Sequence, residues 1–436
     1  MTRLAAAAAL ALLIAPAQAL AGAGGGSSGY GGGGGGGGGG FGGSSGGGSG
    51  DPAPWWVWAL FIGGAAVFLL LAVAGEQRRR ARRRERVRRT IAASAEAAGD
   101  DPWFDAAGVE REAAELFRAT QRAWHDRDRD RLRELVEPDL MVEWERRLDD
   151  FDRKGWHQVV EVREGPQVEY VGLENRDDDS ADRVVVRLEA KMRDCVRLPD
   201  GRIMNKDGAS SDVVAVAEYW TLARRDGRRW TVASIEQDAE GAHHLEAPLV
   251  PSPWSHAQQI HDQTALERAA ADAPQGVSTG ELADVDYAGD ARRQALDLSL
   301  VDERFAPHVL EAAARTAMDA WAEAVDGDDA RLRALAGDQA VHALLHGSDA
   351  SARSRLVVRG PRLRALRIAA LDPDADPPEL TVEADVAGRR YVEDRDTLEL
   401  LSGSRDRETE FTERWTLQLD GSADAPWRIA AAAPVG

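Results

Sequence analysis

A chain of 436 residues with a formal net charge of −20 lacks the basic footprint that nucleic-acid binding requires. Its single cysteine, Cys195, excludes an internal disulfide and fits a reducing compartment. Nine arginines against two glutamates between Glu76 and Arg89 give that block seven net positive charges, so the rest of the chain carries about −27.

Residues 1–19 read as a secretory signal peptide: Arg3, then an alanine–leucine stretch from Leu4 to Ile14, then the small-x-small site Ala17-Gln18-Ala19. Residues 20–54 form a Gly/Ser-rich segment, almost entirely glycine and serine from Gly22 to Gly50 and broken there by Tyr30 and Phe41. They bury too little apolar surface to offset the entropy of ordering glycine, so a flexible tail is expected. Residues 55–74 carry no charge. Twenty such residues span roughly 30 Å, the thickness of a bilayer's hydrocarbon core, so a transmembrane helix is expected there. Trp55, Trp56 and Trp58 stand at its outer end, where indole favours the headgroup level. Residues 75–104 form a basic linker holding Arg78, Arg79, Arg80, Arg82, Arg83 and Arg84. Such a block keeps its end of a span on the cytoplasmic side and attracts anionic lipid headgroups. The expected location is the plasma (inner) membrane, crossed once, with the N-terminus outside and the C-terminal body in the cytoplasm.

The body repeats itself roughly 195 residues apart. Glu218-Tyr219-Trp220-Thr221-Leu222 returns as Glu413-Arg414-Trp415-Thr416-Leu417, and Trp230 as Trp427. Gly165-Pro166 returns as Gly360-Pro361, and Arg131-Leu132-Arg133 as Arg331-Leu332-Arg333. Matches in the same order and spacing argue for two copies, at residues 105–240 and 301–436, joined by a proline-containing linker at 241–300. Each copy runs helices first, then strands. Val109, Ala113, Leu116, Phe117, Thr120 and Trp124 make one helical stripe, and Phe305, Val309, Ala313, Ala317, Ala320 and Trp321 another. Strands are expected at about 159–173, 183–196, 213–224 and 229–237, with Asp200-Gly201 and Asp226-Gly227 at turns. Helices on one face of an antiparallel sheet make an α+β layout.

The helix with Phe117 and Trp124, the Asp130-Arg131-Leu132 turn and the closing run from Glu218 to Glu236 together resemble the Tim44-like domain. The resemblance covers about residues 105–240 well and the second, degenerate copy loosely. It implies two tandem NTF2-like or cystatin-like cones, each a long helix across a curved sheet around an apolar cavity. Phe117, Trp124, Trp144, Glu218, Trp220, Trp230, Trp321 and Trp415 are the candidate cavity-lining residues. The family's membrane docking and affinity for anionic lipid carry over as expectations. The motor-tether role of its mitochondrial member does not, because a signal peptide and a span replace the chaperone-binding region.

Chemistry is sparse. His243 and His244 are neighbours that a strand would point apart, and His256 and His261 miss the helical i, i+4 spacing, so no metal site is expected. The acidic runs Asp126–Asp130 and Asp177–Asp179 lack the calcium-loop pattern and read as self-paired surface. Glu218 shares a strand face with Trp220, but a working carboxylate needs a partner that the sequence does not show; a structural carboxylate paired with arginine is expected at Glu218 and Glu413. No catalytic set and no cofactor are expected. The sequence reading is therefore a non-enzymatic, membrane-anchored scaffold or adaptor that binds a protein partner or anionic lipid and serves protein translocation or envelope assembly. Its alternative is a cavity that binds a small apolar ligand or works as an NTF2-like enzyme.

Overall fold

The computed structural model describes residues 22–25, 30, 55–176, 178–206, 209–225, 229–252, 285–422 and 425–435, with side chains left out at 55–72, 76 and 433–435. The expected signal peptide, the side chains of Trp55, Trp56 and Trp58, the turn at Asp226-Gly227, His256 and His261 lie outside the described residues. One helix, α1, runs from Trp55 to Asp100. Its 46 residues span about 69 Å at 1.5 Å per residue. Among the described residues no helix is long and apolar enough to cross a membrane.

The helix corrects the basic linker expected at 75–104. The arginine block is helical, and its far end is part of the folded body. Thr90, Ser94 and Ala97 are buried there. Arg86 is buried as well, its guanidinium donating to the Val171 carbonyl at 2.5 Å and the Ala247 carbonyl at 2.6 Å. Arg83 pairs with Glu169 at 2.9 Å, so it serves the body and not a headgroup. Arg78, Arg79, Arg80, Arg82 and Arg84 are exposed.

The first unit follows. Helix α2 spans Ala106–Asp126, with Asp105 accepting from the Gly108 amide at its start and Arg127 left-handed (φ 56) at its end. Helices α3 (Arg129–Leu135) and α4 (Pro138–Lys154) complete the layer. The sheet contains β1 (His157–Glu174), β2 (Arg183–Arg197), β3 (Ile203–Asn205), β4 (Val213–Arg225) and β5 (Arg229–Gln237). Its order is β1-β2-β4-β5, antiparallel throughout, with the short β3 beside β2. The whole predicted α2 stripe is buried against this sheet, and the predicted strands match these to within two residues at each end.

The second unit has α6 (Pro307–Asp326), α7 (Ala330–Leu335), α8 (Asp338–His346) and strands β7 (Ser354–Asp372), β8 (Glu379–Asp394), β9 (Leu400–Gly403), β10 (Thr409–Gln418) and β11 (Arg428–Val435). Strand order β7-β8-β10-β11, with β9 beside β8, repeats the first sheet's, and β6 (Val285–Tyr287) adds a parallel edge on β7. The ring pairs recur too. Phe104 meets Trp230 edge-on at 5.8 Å and Phe305 meets Trp427 edge-on at 5.7 Å. Phe305 itself precedes α6 in a 3-10 turn, and the buried stripe of α6 shifts to Leu310, Ala314, Ala317, Met318 and Trp321. The described residues of the intervening chain form a 3-10 turn at Gly241–Leu245, a bridge from Val250 to Glu174, and helix α5 at Ala291–Ser299.

Candidate functional site

The first unit's interior begins with its aromatic wall. Trp124 and Trp144 meet edge-on at 5.2 Å, and Phe117 and Trp220 lie tilted at 5.2 Å, all four fully buried. Trp230 packs on Phe104 at one end of this core. Trp321 and Trp415 meet at 5.7 Å in the second unit and do not join these residues. The eight predicted lining residues therefore divide between two cores.

Polar groups in the first core were missed. Asp194, Gln158, Gln121 and Arg147 are buried, projecting from β2, β1, α2 and α4. The occupant they face is the chain's own N-terminal segment. The Gly22 amide donates to Asp194 Oδ2 at 3.0 Å, the Ala23 amide to Gln121 Oε1 at 2.6 Å, and the Tyr30 hydroxyl to Asp194 Oδ1 at 2.5 Å. Arg147 donates to the Gly24 carbonyl at 2.7 Å, and Gln158 completes Asp194 at 2.8 Å. Gly22–Gly25 and Tyr30 are buried, where a tail without buried surface was expected. The correction has a plain cause: the ordering of glycine is offset by hydrogen bonds to receptor groups far away in sequence, which composition does not report. The cavity is also less apolar than the resemblance implied.

Glu218 stands in the same interior. Burial pushes its carboxyl up to about 8, and its Oε2 accepts from Trp220 Nε1 at 2.9 Å. Its hydrogen-bond partner is thus an indole and not the expected arginine. Glu413 does lie by an arginine, Arg390 at 3.8 Å, while the Trp415 indole N–H has no partner among the described residues. A carboxyl raised in the folded state holds a proton that the unfolded chain releases, so stability is full below about 4.5 and falls as pH rises through about 8. Glu218→Gln keeps an acceptor for the indole and cannot ionise. The variant is expected to flatten the loss of melting temperature between pH 5 and pH 9 seen by calorimetry; an unchanged slope would exclude Glu218 as its source.

The two units meet across a charged seam. Glu143 of α4 accepts from Arg395 Nη2 at 2.6 Å and from Arg355 Nη1 at 3.0 Å. Burial alone would raise its carboxyl, but the Arg395 hydrogen bonds and both arginine charges hold it down at about 2. Asp396 reaches back to Arg146 at 2.9 Å. A cleft of about 510 Å³ opens beside this seam, lined among others by Arg86, Asp139, Glu236, His244 and Asp326.

His243 and His244 also sit in the seam, their rings 4.0 Å apart, because a 3-10 turn and not a strand carries them. His244 Nε2 lies 2.9 Å from Glu236 Oε1. Burial lowers His243, while the Glu236 charge outweighs burial and raises His244. These three side chains could hold a metal ion by proximity alone. However, His243 Nδ1 is 3.0 Å from the Glu240 carbonyl, which only accepts, so that nitrogen carries a proton and is closed to a metal. Asp101, Asp179 and Asp182 form a second acidic group, in which all three pair with Arg224. The run Asp126–Asp130 carries surface ion pairs, but with residues outside the run and not with itself as expected: Arg129 pairs with Asp149 at 2.7 Å and Asp152 at 2.9 Å, while Asp128 caps α3.

One family model matches the part of the chain that contains this site. The Tim44-like domain matches residues 91–237. Among solved structures, the intermembrane space region of the chloroplast protein ARC6 is 13% identical, covering 29% of this chain and 95% of its own, with a TM-score of 0.23. An Ntf2-like protein involved in plasmid conjugation is 9% identical, covering 76% of this chain and 94% of its own, with a TM-score of 0.17. Scores this low carry no argument about fold or function. No curated protein matches the chain. The polar cavity and its aromatic wall are therefore the interior of a Tim44-like domain, which this chain carries at residues 91–237.

Proposed function

We propose that the chain is a non-enzymatic adaptor, anchored in the plasma membrane by residues 55–74, whose Tim44-like domain holds a peptide segment of a protein partner. The observation that carries this is the cavity's set of buried hydrogen-bonding groups, Asp194, Gln121, Gln158 and Arg147, all addressed to peptide N–H and C=O groups. Buried polar groups of this kind are costly when unpaired, so they favour a peptide backbone over a small apolar ligand. The exposed arginines at 78, 79, 80, 82 and 84 supply the attraction to anionic headgroups, each worth about 1 kcal/mol. In this reading the tail lies outside and the body in the cytoplasm, a signal peptide at residues 1–19 having started the export. The shared strand order of the two units supports a duplication, with the second copy degenerate: Arg390 holds the register position on β8 that Asp194 holds on β2.

The test is a protein inventory of full-length complexes cross-linked in intact membranes and then purified in mild detergent. A partner that is retained by wild type and by Arg79→Ala, and lost from Asp194→Ala, is the expected result. A set of partners indifferent to Asp194 would contradict the role given to the cavity.

A further inference from the structure

We propose that the cavity's resident ligand is the chain's own residues Gly22–Gly25 with Tyr30, an internal competitor that must leave before a partner's peptide can enter. The inference rests on the cavity being a peptide site, as argued above, and names its first occupant.

The seat is built for this segment in three ways. First, its amides find side chains and not a strand edge: Gly22 on Asp194, Ala23 on Gln121, and the Gly24 carbonyl under Arg147. These hosts come from different elements and are themselves buried, so withdrawing the segment leaves Asp194 and Arg147 as charges in a dry interior. Second, the fit admits glycine alone at two places. Gly24 has φ +82, and a Cβ there would stand 2.5 Å from the Trp144 indole nitrogen. Gly22 has φ +97, and its Cβ would meet the Met192 methyl at 2.7 Å and Gln121 Oε1 at 2.8 Å. A side chain in that region of φ is strained whatever the space. Third, Tyr30 closes the seat. Its hydroxyl donates to the same Asp194, and the Lys206 ammonium lies 5.6 Å from its ring centroid.

The recognised chemistry is thus a short peptide with glycines at two fixed places, a small residue between them and a tyrosine several residues on. Seating also has a consequence for topology. The segment precedes the apolar stretch 55–74 and its receptor follows it, so one copy cannot both cross a bilayer there and fill its own cavity. Crossing draws the segment away and opens the site.

Hydrogen exchange of the full-length chain separates the possibilities. In detergent micelles, where no bilayer parts tail from body, the amides of residues 22–25 are expected to exchange on the order of 100-fold more slowly than the same amides in urea-unfolded chain. Gly24→Ala and Tyr30→Phe leave every receptor side chain in place, and the β2 amides report whether the receptor stays folded. Gly24→Ala should abolish the protection and Tyr30→Phe should reduce it, with the β2 amides unchanged in both. Unprotected residues 22–25 in micelles beside a protected β2 would overturn the inference and leave the anchoring intact. The same chain in lipid bilayers should lose the protection. Protection retained there would instead contradict the crossing at 55–74 and support the seated segment.

Discussion

Replacing Glu143 with alanine is expected to destabilise the molecule by about 3–5 kcal/mol, the loss typical when one partner of a buried ion pair is removed. Glu143 is the shared acceptor for Arg355 and Arg395, which reach it from the second unit, and Arg147 adds a further positive charge nearby. Its removal leaves these cations facing one another in the seam. Glu143→Gln is expected to be nearly as harmful, because an amide offers one acceptor oxygen and no charge to two guanidinium groups. The effect has a pH counterpart. A carboxyl held at about 2 in the folded state, against about 4.5 unfolded, contributes stability that is full above about 4.5 and lost as pH falls through about 2. Urea unfolding at neutral pH and at pH 3 should therefore show the gap between wild type and Glu143→Ala narrowing in acid. An equal gap at both would mean that Glu143 acts through packing and not charge.

Replacing Trp220 with alanine is expected to cost about 3–5 kcal/mol, the range for truncating a large buried aromatic. Trp220 is fully buried on β4, rests on Phe117, and gives Glu218 a hydrogen bond. Trp220→Phe should recover most of the packing yet leave Glu218 without its indole donor, so an intermediate loss is expected. In the second unit Trp415 holds the matching place but its indole N–H has no partner among the described residues. Trp415→Phe should consequently cost less than Trp220→Phe. Equal losses for the two phenylalanine variants, read from denaturant midpoints, would show that the Glu218 hydrogen bond adds nothing.

Much of the first unit was legible because its signals are local. The α2 stripe from Val109 to Trp124 repeats at helical spacing, and the strand from Arg183 alternates polar and apolar residues, so burial pattern and sequence pattern coincide. Gly201, with φ +83, lies in the turn between β2 and β3, where the Asp-Gly turn is expected. What escaped was long-range. Nothing near Glu143 in sequence announces Arg355 or Arg395, and nothing in a run of glycines announces Asp194 or Gln121. The arginine block read as a surface signal because charge runs usually are; Arg86 is buried only because the Val171 and Ala247 carbonyls turn toward it. His243 and His244 were judged by strand geometry, and the 3-10 turn that carries them brings both rings to Glu236.

The account stands on the cavity of residues 91–237 being a receptor for peptide backbone. A photoreactive residue at position 140, which lines the space beside Gly24 and Trp144, reports on that occupancy in intact membranes. The account predicts adducts to a glycine-bearing peptide, from a partner in the membrane and from residues 22–30 of the chain itself in detergent, both lost in Asp194→Ala. Adducts to lipid alone, or none from a folded chain, would contradict it.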